Sequence, residues 1–330
     1  MASLNTALAR MRWGQRLAIL WLLSLGLLAA LAPVLPLPYP PGAPDLAHVV
    51  EGPSIITRHW LGTDAQGRDV FSSLLFGART ALLLTLPAAL LAALLGGLAG
   101  GAAGFWGNRL RLSLAGWVLA TTALAGGLTA SWTVVATGAG LAIGLGAVAR
   151  AFRHPIALPL PLDSLVLGAA TGLDTVPRLI LVLALVARGG VSAAGLGLVL
   201  GFTSWAGPAR LVRARMLAVR ALPFVEAARA AGLSAGRVWW HHALPHALRP
   251  LQTSLPLSIA GLLALESTLS FLGVGLPPEV ASWGQQLAAA RQVPQAWWVA
   301  AFPALMLATT IFSMHFLSRP QLAATGRTAP

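Results

Sequence analysis

The feature that most constrains this chain is a series of eight nearly uncharged, apolar stretches. They lie at about 17–35, 80–104, 112–131, 133–149, 164–187, 191–209, 251–275 and 296–317. A helix needs about 20 apolar residues to cross a bilayer, and in lipid only a helix satisfies its own backbone polar groups. The chain is 9% charged, against about 25% in soluble domains. We therefore predict an all-α, polytopic transmembrane helical bundle with eight spans.

The 22 basic residues, all arginine, predict which side each connection faces. With the N-terminus inside, sixteen arginines fall in inner segments and five in outer segments, and Arg178 lies within a span. Cytoplasmic connections carry the excess of basic residues, so both termini are predicted to be cytoplasmic, with 17–35 retained as the first helix. Because the arginines are distributed over the connections and form no single basic patch, the net charge of +13 does not indicate a nucleic acid partner.

The segment 112–149 allows two interpretations. Gly126-Gly127 and Ser131-Trp132 near its middle favour a hairpin of two short helices. A single long tilted helix would place the arginine-rich segment 210–249 outside, which the arginine distribution disfavours.

The long inner segment 210–250 contains a predicted short helix. Pro223 suits its first position, where the missing N–H is no loss, and Glu226 in the first turn favours the positive end of the helix dipole. Gly232 suits its end. Ser234 is predicted to cap a second helix that ends near Leu244-Pro245. An ordinary cytoplasmic helical hairpin has the same chemistry.

The order of these residues adds a resemblance to a known family. Glu226-Ala227-Ala228, then Gly232, then Leu244-Pro245 resembles the EAA loop of binding-protein-dependent ABC importer permeases. A histidine such as His242 is common there in the dipeptide/oligopeptide subfamily. Four further strings resemble signatures of its C-type permease subunit. They are Leu61 to Asp69 followed by Gly77-Ala78-Arg79, Asp174 to Pro177, Glu266 to Gly273, and Ser282-Trp283-Gly284.

The resemblance, to the C-type permease subunit of the dipeptide/oligopeptide/nickel ABC importers, implies a type I importer permease fold with six core spans. The extra segment at about 110–163 is then an inserted hydrophobic hairpin within a permease domain at 80–318. Around it lie the tail and first helix 1–35, the outer loop 36–79, the coupling loop at about 210–250, and the cytoplasmic tail 319–330. The implied location is the bacterial inner membrane.

The resemblance also implies a division of labour between subunits. The chain would import peptides or similar small solutes, with helix 223–231 engaging an ATPase subunit. The residues implied in this coupling are Glu226, Ala227, Ala228, Gly232, Leu244 and Pro245. The implied partners are a second permease subunit, two cytoplasmic ATPase subunits, an extracytoplasmic solute-binding protein and membrane lipid. Because the chain has no lysine, it cannot form a Walker A loop, so ATP and magnesium would bind to the partners. We predict no catalytic residue and no cofactor on this chain.

The outer-loop motif offers a second group of candidates. Its residues are Gly62, Thr63, Asp64, Gly67, Arg68 and Asp69. Alternating charges between two glycines favour a self-paired turn over contact with substrate. Two carboxylates alone do not specify a metal ion, so no metal site is predicted here.

The apolar run 251–275 contains one charged residue, Glu266, beside Ser267. Charges in membrane helices usually face the protein interior or a water-filled path, so both residues are candidates for the translocation pathway. The alternative is that Glu266 only hydrogen-bonds its neighbours near the outer end. No metal site is predicted at His241, His242 and His246, because Pro245 intervenes. A secondary transporter would favour inverted repeats and an intramembrane enzyme a nucleophile–base pair, and neither is evident.

Overall fold

The protein is helical throughout most of the part described by the computed structural model, which covers residues 13–113, 157–186 and 192–319. The helices are α1 (Trp13–Leu31), α2 (Val70–Trp106), α3 (Leu162–Thr175), α4 (Arg178–Val186), α5 (Ala193–Thr203), α6 (Ala206–Val219), α7 (Pro223–Ala230), α8 (Ala235–Arg237), a π-helix (Val238–Ala243), α9 (Leu244–Ala247), α10 (Arg249–Phe271), α11 (Trp283–Ala289) and α12 (Trp297–Ser318). The predicted helical class is confirmed, and most of segment 112–149 lies outside the described residues.

Four of these helices, α1, α2, α10 and α12, are long and apolar enough to cross a membrane, and the bent pair α3–α4 would make a fifth. The longest, α2, has 37 residues. At about 1.5 Å per residue it is longer than the hydrocarbon core is thick, which is about 30 Å. The predicted span 80–104 therefore lies inside a helix that begins already at Val70.

Two predicted spans are divided into shorter helices. The stretch 164–187 becomes α3 and α4, bent by 84° at Val176-Pro177. Proline disfavours helical geometry in the residue before it, which explains the break. The stretch 191–209 becomes α5 and the first part of α6, separated at Ser204-Trp205.

A two-stranded antiparallel ribbon joins the two ends of the segment that is predicted to be an insertion. Strand β1 (Leu110–Ser113) pairs with β2 (Ala157–Leu160), and Leu110 lies opposite Leu160. This short ribbon was not predicted from the sequence, and it does not change the helical class. Both strands of a two-stranded ribbon are edge strands, where a proline such as Pro159 is tolerated.

By its contacts the chain forms two compact units. The first contains the described parts of 1–98, 170–212 and 248–330, and the second those of 99–169 and 213–247. The first unit has two buried clusters. One joins α2, α4, α5 and α10 through Leu84, Val182, Leu196 and Leu262. The other joins α1, α2, α10, α11 and α12 through Leu25, Leu74, Leu263, Trp283 and Val299.

Candidate functional site

The short helix expected in the inner segment is confirmed as α7, with Pro223 in its first turn and Glu226 as its acidic first-turn residue. Its end is a Schellman motif, in which the N–H of Gly232 donates to Arg229 O (3.0 Å) and that of Leu233 to Ala228 O (3.3 Å). Gly232 has φ +81°, and a Cβ there would meet nothing within 4 Å. The position therefore needs glycine for its backbone conformation and not for space.

The two faces of α7 differ. Val225 and Ala228 are buried within the second unit, whereas Glu226 and Ala227 are exposed. The exposed face carries small side chains and one carboxylate, and Phe224 beside it is partly exposed. Such a face lets another surface approach the helix backbone closely.

Aromatic rings hold the segment against the end of α2. The Arg229 guanidinium lies 5.1 Å from the centre of the Phe105 ring, an arrangement that attracts the cation to the ring face. The Trp239 ring centre lies 5.1 Å from that of Trp106. These contacts pack α7 and the π-helix against the end of α2.

Close packing and ion pairs complete this support in the second unit. A Cβ on Gly104 would lie 2.8 Å from Met216 Cβ and 2.9 Å from Arg213 O, so α2 and α6 touch almost backbone to backbone here. Arg220 Nη1 donates to Gly104 O at 2.9 Å. Arg213 forms an ion pair with Asp163 at the start of α3.

The second helix of the inner segment differs from the expectation. It runs as α8, three residues long, then as the π-helix, and continues through Leu244-Pro245 as α9. A proline ring clashes with the carbonyl four residues earlier in an α-helix. The wider π-turn, in which Leu244 N–H bonds Trp239 O, relieves that clash. The sequence predicts an end near Leu244-Pro245, and the helix continues as far as Ala247. Leu244 is buried and Pro245 exposed.

The outer-loop motif forms a hydrogen-bonded turn before α2. Asp64 Oδ1 accepts from the backbone N–H groups of Gln66 (2.8 Å) and Arg68 (2.9 Å). Burial raises the pKa of the Asp64 carboxyl above its ordinary value, and these N–H groups oppose the rise. Gly67 has φ +72°, and a Cβ there would lie 2.3 Å from Asp45 O.

The rest of the motif ties this turn to its surroundings in the first unit. Gly62, with φ +80°, accepts at its carbonyl from Val70 N–H at 3.0 Å. Thr63 Oγ1 donates to His48 O (2.6 Å), and Thr63 O accepts from the Trp298 indole N–H at 3.1 Å. Asp69 caps α2, because its Oδ2 accepts from Ser72 N–H at 2.8 Å.

The strings around Glu266 and Trp283 meet in one buried cluster. Glu266 is 2% exposed, and its Oε1 accepts from Ser270 (2.8 Å) and Ser282 (2.9 Å). Ser267 Oγ donates to Glu266 Oε2 at 3.3 Å. The Trp283 indole N–H donates to Leu74 O. The arrangement fastens the start of α11 to α10, and a pathway role for Glu266 and Ser267 stays a prediction.

Several residues of these sites were missed from the sequence. The ring contacts of Phe105, Trp106 and Trp239 join segments far apart in the chain, and nothing in the local pattern announces them. His59 lies only two residues before the outer-loop string. Its Nδ1 is 3.0 Å from Asp69 Oδ1, and a histidine in an irregular loop does not by itself indicate such a contact.

The long apolar helices define a multi-span membrane protein. The exposed face of the short helix α7 in the second unit makes it a candidate docking segment. The chain belongs to the family of binding-protein-dependent transport system inner membrane components, which matches residues 142–320. It is a permease subunit of an ABC importer, located in the inner membrane, and a transport subunit instead of an enzyme.

Relatives support the same membership. The chain is 30% identical to a protein of Brucella suis named as a peptide permease, over 88% of this chain and 80% of the relative. A Brucella ovis protein of the same description has the same identity and coverage. A protein of Sinorhizobium fredii named as a peptide ABC transporter permease is 31% identical, over 78% of this chain and 71% of the relative.

Proposed function

We propose that this permease imports peptides or similar small solutes, and that residues 223–231 are the helix through which it is driven by an ATPase subunit. The observation that carries the coupling role is the exposed Glu226-Ala227 face on a helix whose opposite face, Val225 and Ala228, is buried. The substrate class rests on the names of the relatives, which describe peptide permeases.

The proposed assembly contains a second permease subunit, two cytoplasmic ATPase subunits and an extracytoplasmic solute-binding protein. ATP and Mg²⁺ bind to the ATPases and no cofactor binds to this chain. Closure of the ATPases moves α7, and the packing of Arg229 on Phe105 passes that movement to α2. Leu244 is buried in the same unit beside Gly101 of α2, where an added Cβ would lie 2.7 Å from Leu244 Cδ1. Pro245 follows the π-helix Val238–Ala243.

The proposed topology has eight spans, with both termini in the cytoplasm and the insertion 110–163 entering as a hairpin. It is supported by the arginine distribution, since 210–249 is rich in arginine and 36–79 is not. The chain has no cysteine, so single cysteines report sidedness directly. A membrane-impermeant maleimide added to intact spheroplasts should label Ile56→Cys and not Ser234→Cys. The reverse pattern would contradict the topology.

The coupling role is tested by changing the exposed face of α7. Glu226→Arg reverses the charge on the face, and Gly232→Pro forbids the φ of +81° and removes the N–H that bonds Arg229 O. Both variants should insert into the membrane normally. Both should weaken binding of the purified ATPase by at least about tenfold, as expected when a central interface contact is lost.

The matched control is Glu279→Arg, the same charge change at an exposed residue of the first unit. It should leave ATPase affinity unchanged. Normal ATPase binding and normal ATP-dependent uptake in both α7 variants would overturn the coupling role. Uptake of labelled short peptides into proteoliposomes tests the substrate class separately, and uptake by this chain without any ATPase would contradict the importer assembly.

A further inference from the structure

Three metal-binding side chains converge in the loop before α2. Asp45 Oδ2 lies 2.9 Å from His48 Nδ1 and 3.4 Å from His59 Nε2. One ligand atom from each residue lies within 4.8 Å of the other two. Ligands about 2.0–2.2 Å from a tetrahedral ion are separated by distances of this size.

The position of His59 is fixed from the other side of its ring. Its Nδ1 lies 3.0 Å from Asp69 Oδ1, and the second oxygen of Asp69 is held by Ser72 N–H. A carboxylate beside Nδ1 keeps the ring proton on that nitrogen, which leaves the Nε2 lone pair directed toward Asp45 and His48. Metal-binding histidines are oriented in this way by an outer carboxylate. The Tyr39 ring stacks on His59 with centroids 3.9 Å apart.

One oxygen of Asp45 faces both imidazole nitrogens. The His59 side chain is completely buried, so its ring is held in this position. A single cation could accept a lone pair from each of the three atoms, which lie within 4.8 Å of one another.

We propose that Asp45, His48 and His59 bind a divalent transition metal of the Zn²⁺ class. Two imidazoles and one carboxylate are a ligand set suited to Zn²⁺. His48 and Asp45 are partly exposed, with 38% and 24% of their side-chain surface accessible, so a water molecule can complete the coordination. The site revises the expectation of no metal, because Asp45 and His48 belong to no motif and meet His59 only in the folded loop.

The ion would act as a clamp between two parts of the loop. It would join the segment around residues 39–48 to the segment 59–69 that carries the Asp64 turn and the cap of α2. An ion that binds only the folded loop stabilises it by mass action. This role is independent of the ATPase segment in the second unit.

The test uses the full-length chain, purified in detergent and stripped with a chelator. Zn²⁺ is titrated in competition with a chromogenic chelator, and bound metal is counted after desalting. We expect one Zn²⁺ per chain. His48→Ala and Asp45→Asn change partly exposed residues and should abolish this binding. Asp69→Asn should weaken it by about 10–100-fold, the usual effect of losing an outer partner.

A histidine outside the proposed site provides the control. His241→Ala removes an exposed histidine of the inner segment and should leave Zn²⁺ binding unchanged. Co²⁺ in place of Zn²⁺ should give the visible absorption of a tetrahedral site in the wild type and not in His48→Ala. Zn²⁺ should raise the thermal unfolding temperature only of proteins that keep all three ligands. Equal Zn²⁺ content in the wild type, His48→Ala and Asp45→Asn, or none in any of them, would overturn the proposal.

Discussion

The indole N–H of Trp283 donates to the backbone carbonyl of Leu74 at 3.0 Å, although 209 positions separate the two residues. Trp283 is 2% exposed, and it lies in the same buried cluster as Leu74 and Leu263. The bond joins α11 to α2, while Ser282 next to it joins α11 to Glu266 of α10. A short helix outside the spans is thus fixed to two of the long helices.

Replacing Trp283 should therefore destabilise the first unit. Trp283→Phe keeps most of the apolar volume and loses the hydrogen bond, at a cost of about 1–2 kcal/mol. Trp283→Ala also leaves a cavity, at a cost of about 3–5 kcal/mol. Trp297→Phe is the control, since Trp297 is 61% exposed. Denaturant unfolding in detergent, followed by far-UV circular dichroism, should show this ranking, and a Trp283→Ala protein as stable as the control would refute it.

The serine hydroxyls that surround Glu266 lead to a second prediction. Glu266→Ala removes the acceptor of Ser270 and Ser282 in a buried place, where unsatisfied donors cost about 1–3 kcal/mol. Glu266→Gln retains an oxygen acceptor and should lose less stability.

The same pair of variants separates the two roles considered for Glu266. If it serves only as a tether, uptake should fall in proportion to the amount of folded protein. A Glu266→Gln protein that is as stable as wild type and fails to transport would instead support the pathway role. Thermal stability and uptake are therefore measured on the same preparations.

Local structure in this chain is easier to predict from the sequence than long-range contacts are. Helix α7 is predictable because Pro223, Glu226 and Gly232 act through local rules of helix ends. The sequence predicts one span over the broken stretch 164–187, because mean hydropathy does not register the single backbone constraint at Pro177. The π-turn was missed for a related reason, since it resolves a conflict between Pro245 and His241 that exists only once the helix continues.

Contacts between residues far apart in the sequence cannot be predicted in this way. The ordered strings around Asp64, Glu266 and Trp283 indicated residues that matter without indicating what they touch. Glu266 meets Ser282 across 16 positions, and His59 meets Asp45 across 14. Pairings like these depend on how helices and loops pack, so pattern and spacing in the chain do not determine them.

The contact between α2 and α6 gives a third prediction. A methyl group at Gly104 would lie under 3.0 Å from Met216 Cβ and from Arg213 O, so the two helices must separate. Overpacking of this kind costs about 1–3 kcal/mol. Gly104→Ala should lower the unfolding temperature, and it should also weaken ATPase binding if α7 depends on this packing.

The control for that change is Gly236→Ala in the same unit, where an added Cβ meets nothing within 4 Å. Its stability should equal or exceed that of the wild type, because alanine restricts the unfolded chain. Equal unfolding temperatures for both variants would show that α2 and α6 are not held in close contact.

The buried carboxyl of Asp64 makes the stability of the outer loop 36–79 depend on pH. Burial is the main cause of its raised pKa, so the folded protein holds this proton more tightly than the unfolded chain. The contribution is therefore most favourable below the unfolded pKa, which is about 3.9, and it is lost as pH rises through the higher folded pKa. At neutral pH the buried charge lowers stability.

Asp64→Asn tests that sign. The carboxamide oxygen can still accept from the N–H groups of Gln66 and Arg68, while the buried charge is gone. The variant should be more stable than wild type at neutral pH, and the difference should shrink as the pH falls toward 4. Chelator-treated protein is used for both, so that metal release does not contribute to the profile. Thermal unfolding across this pH range measures the difference in stability. If the wild type instead became more stable relative to the variant as the pH rises, the sign would be reversed. That result would show that the two N–H bonds outweigh burial.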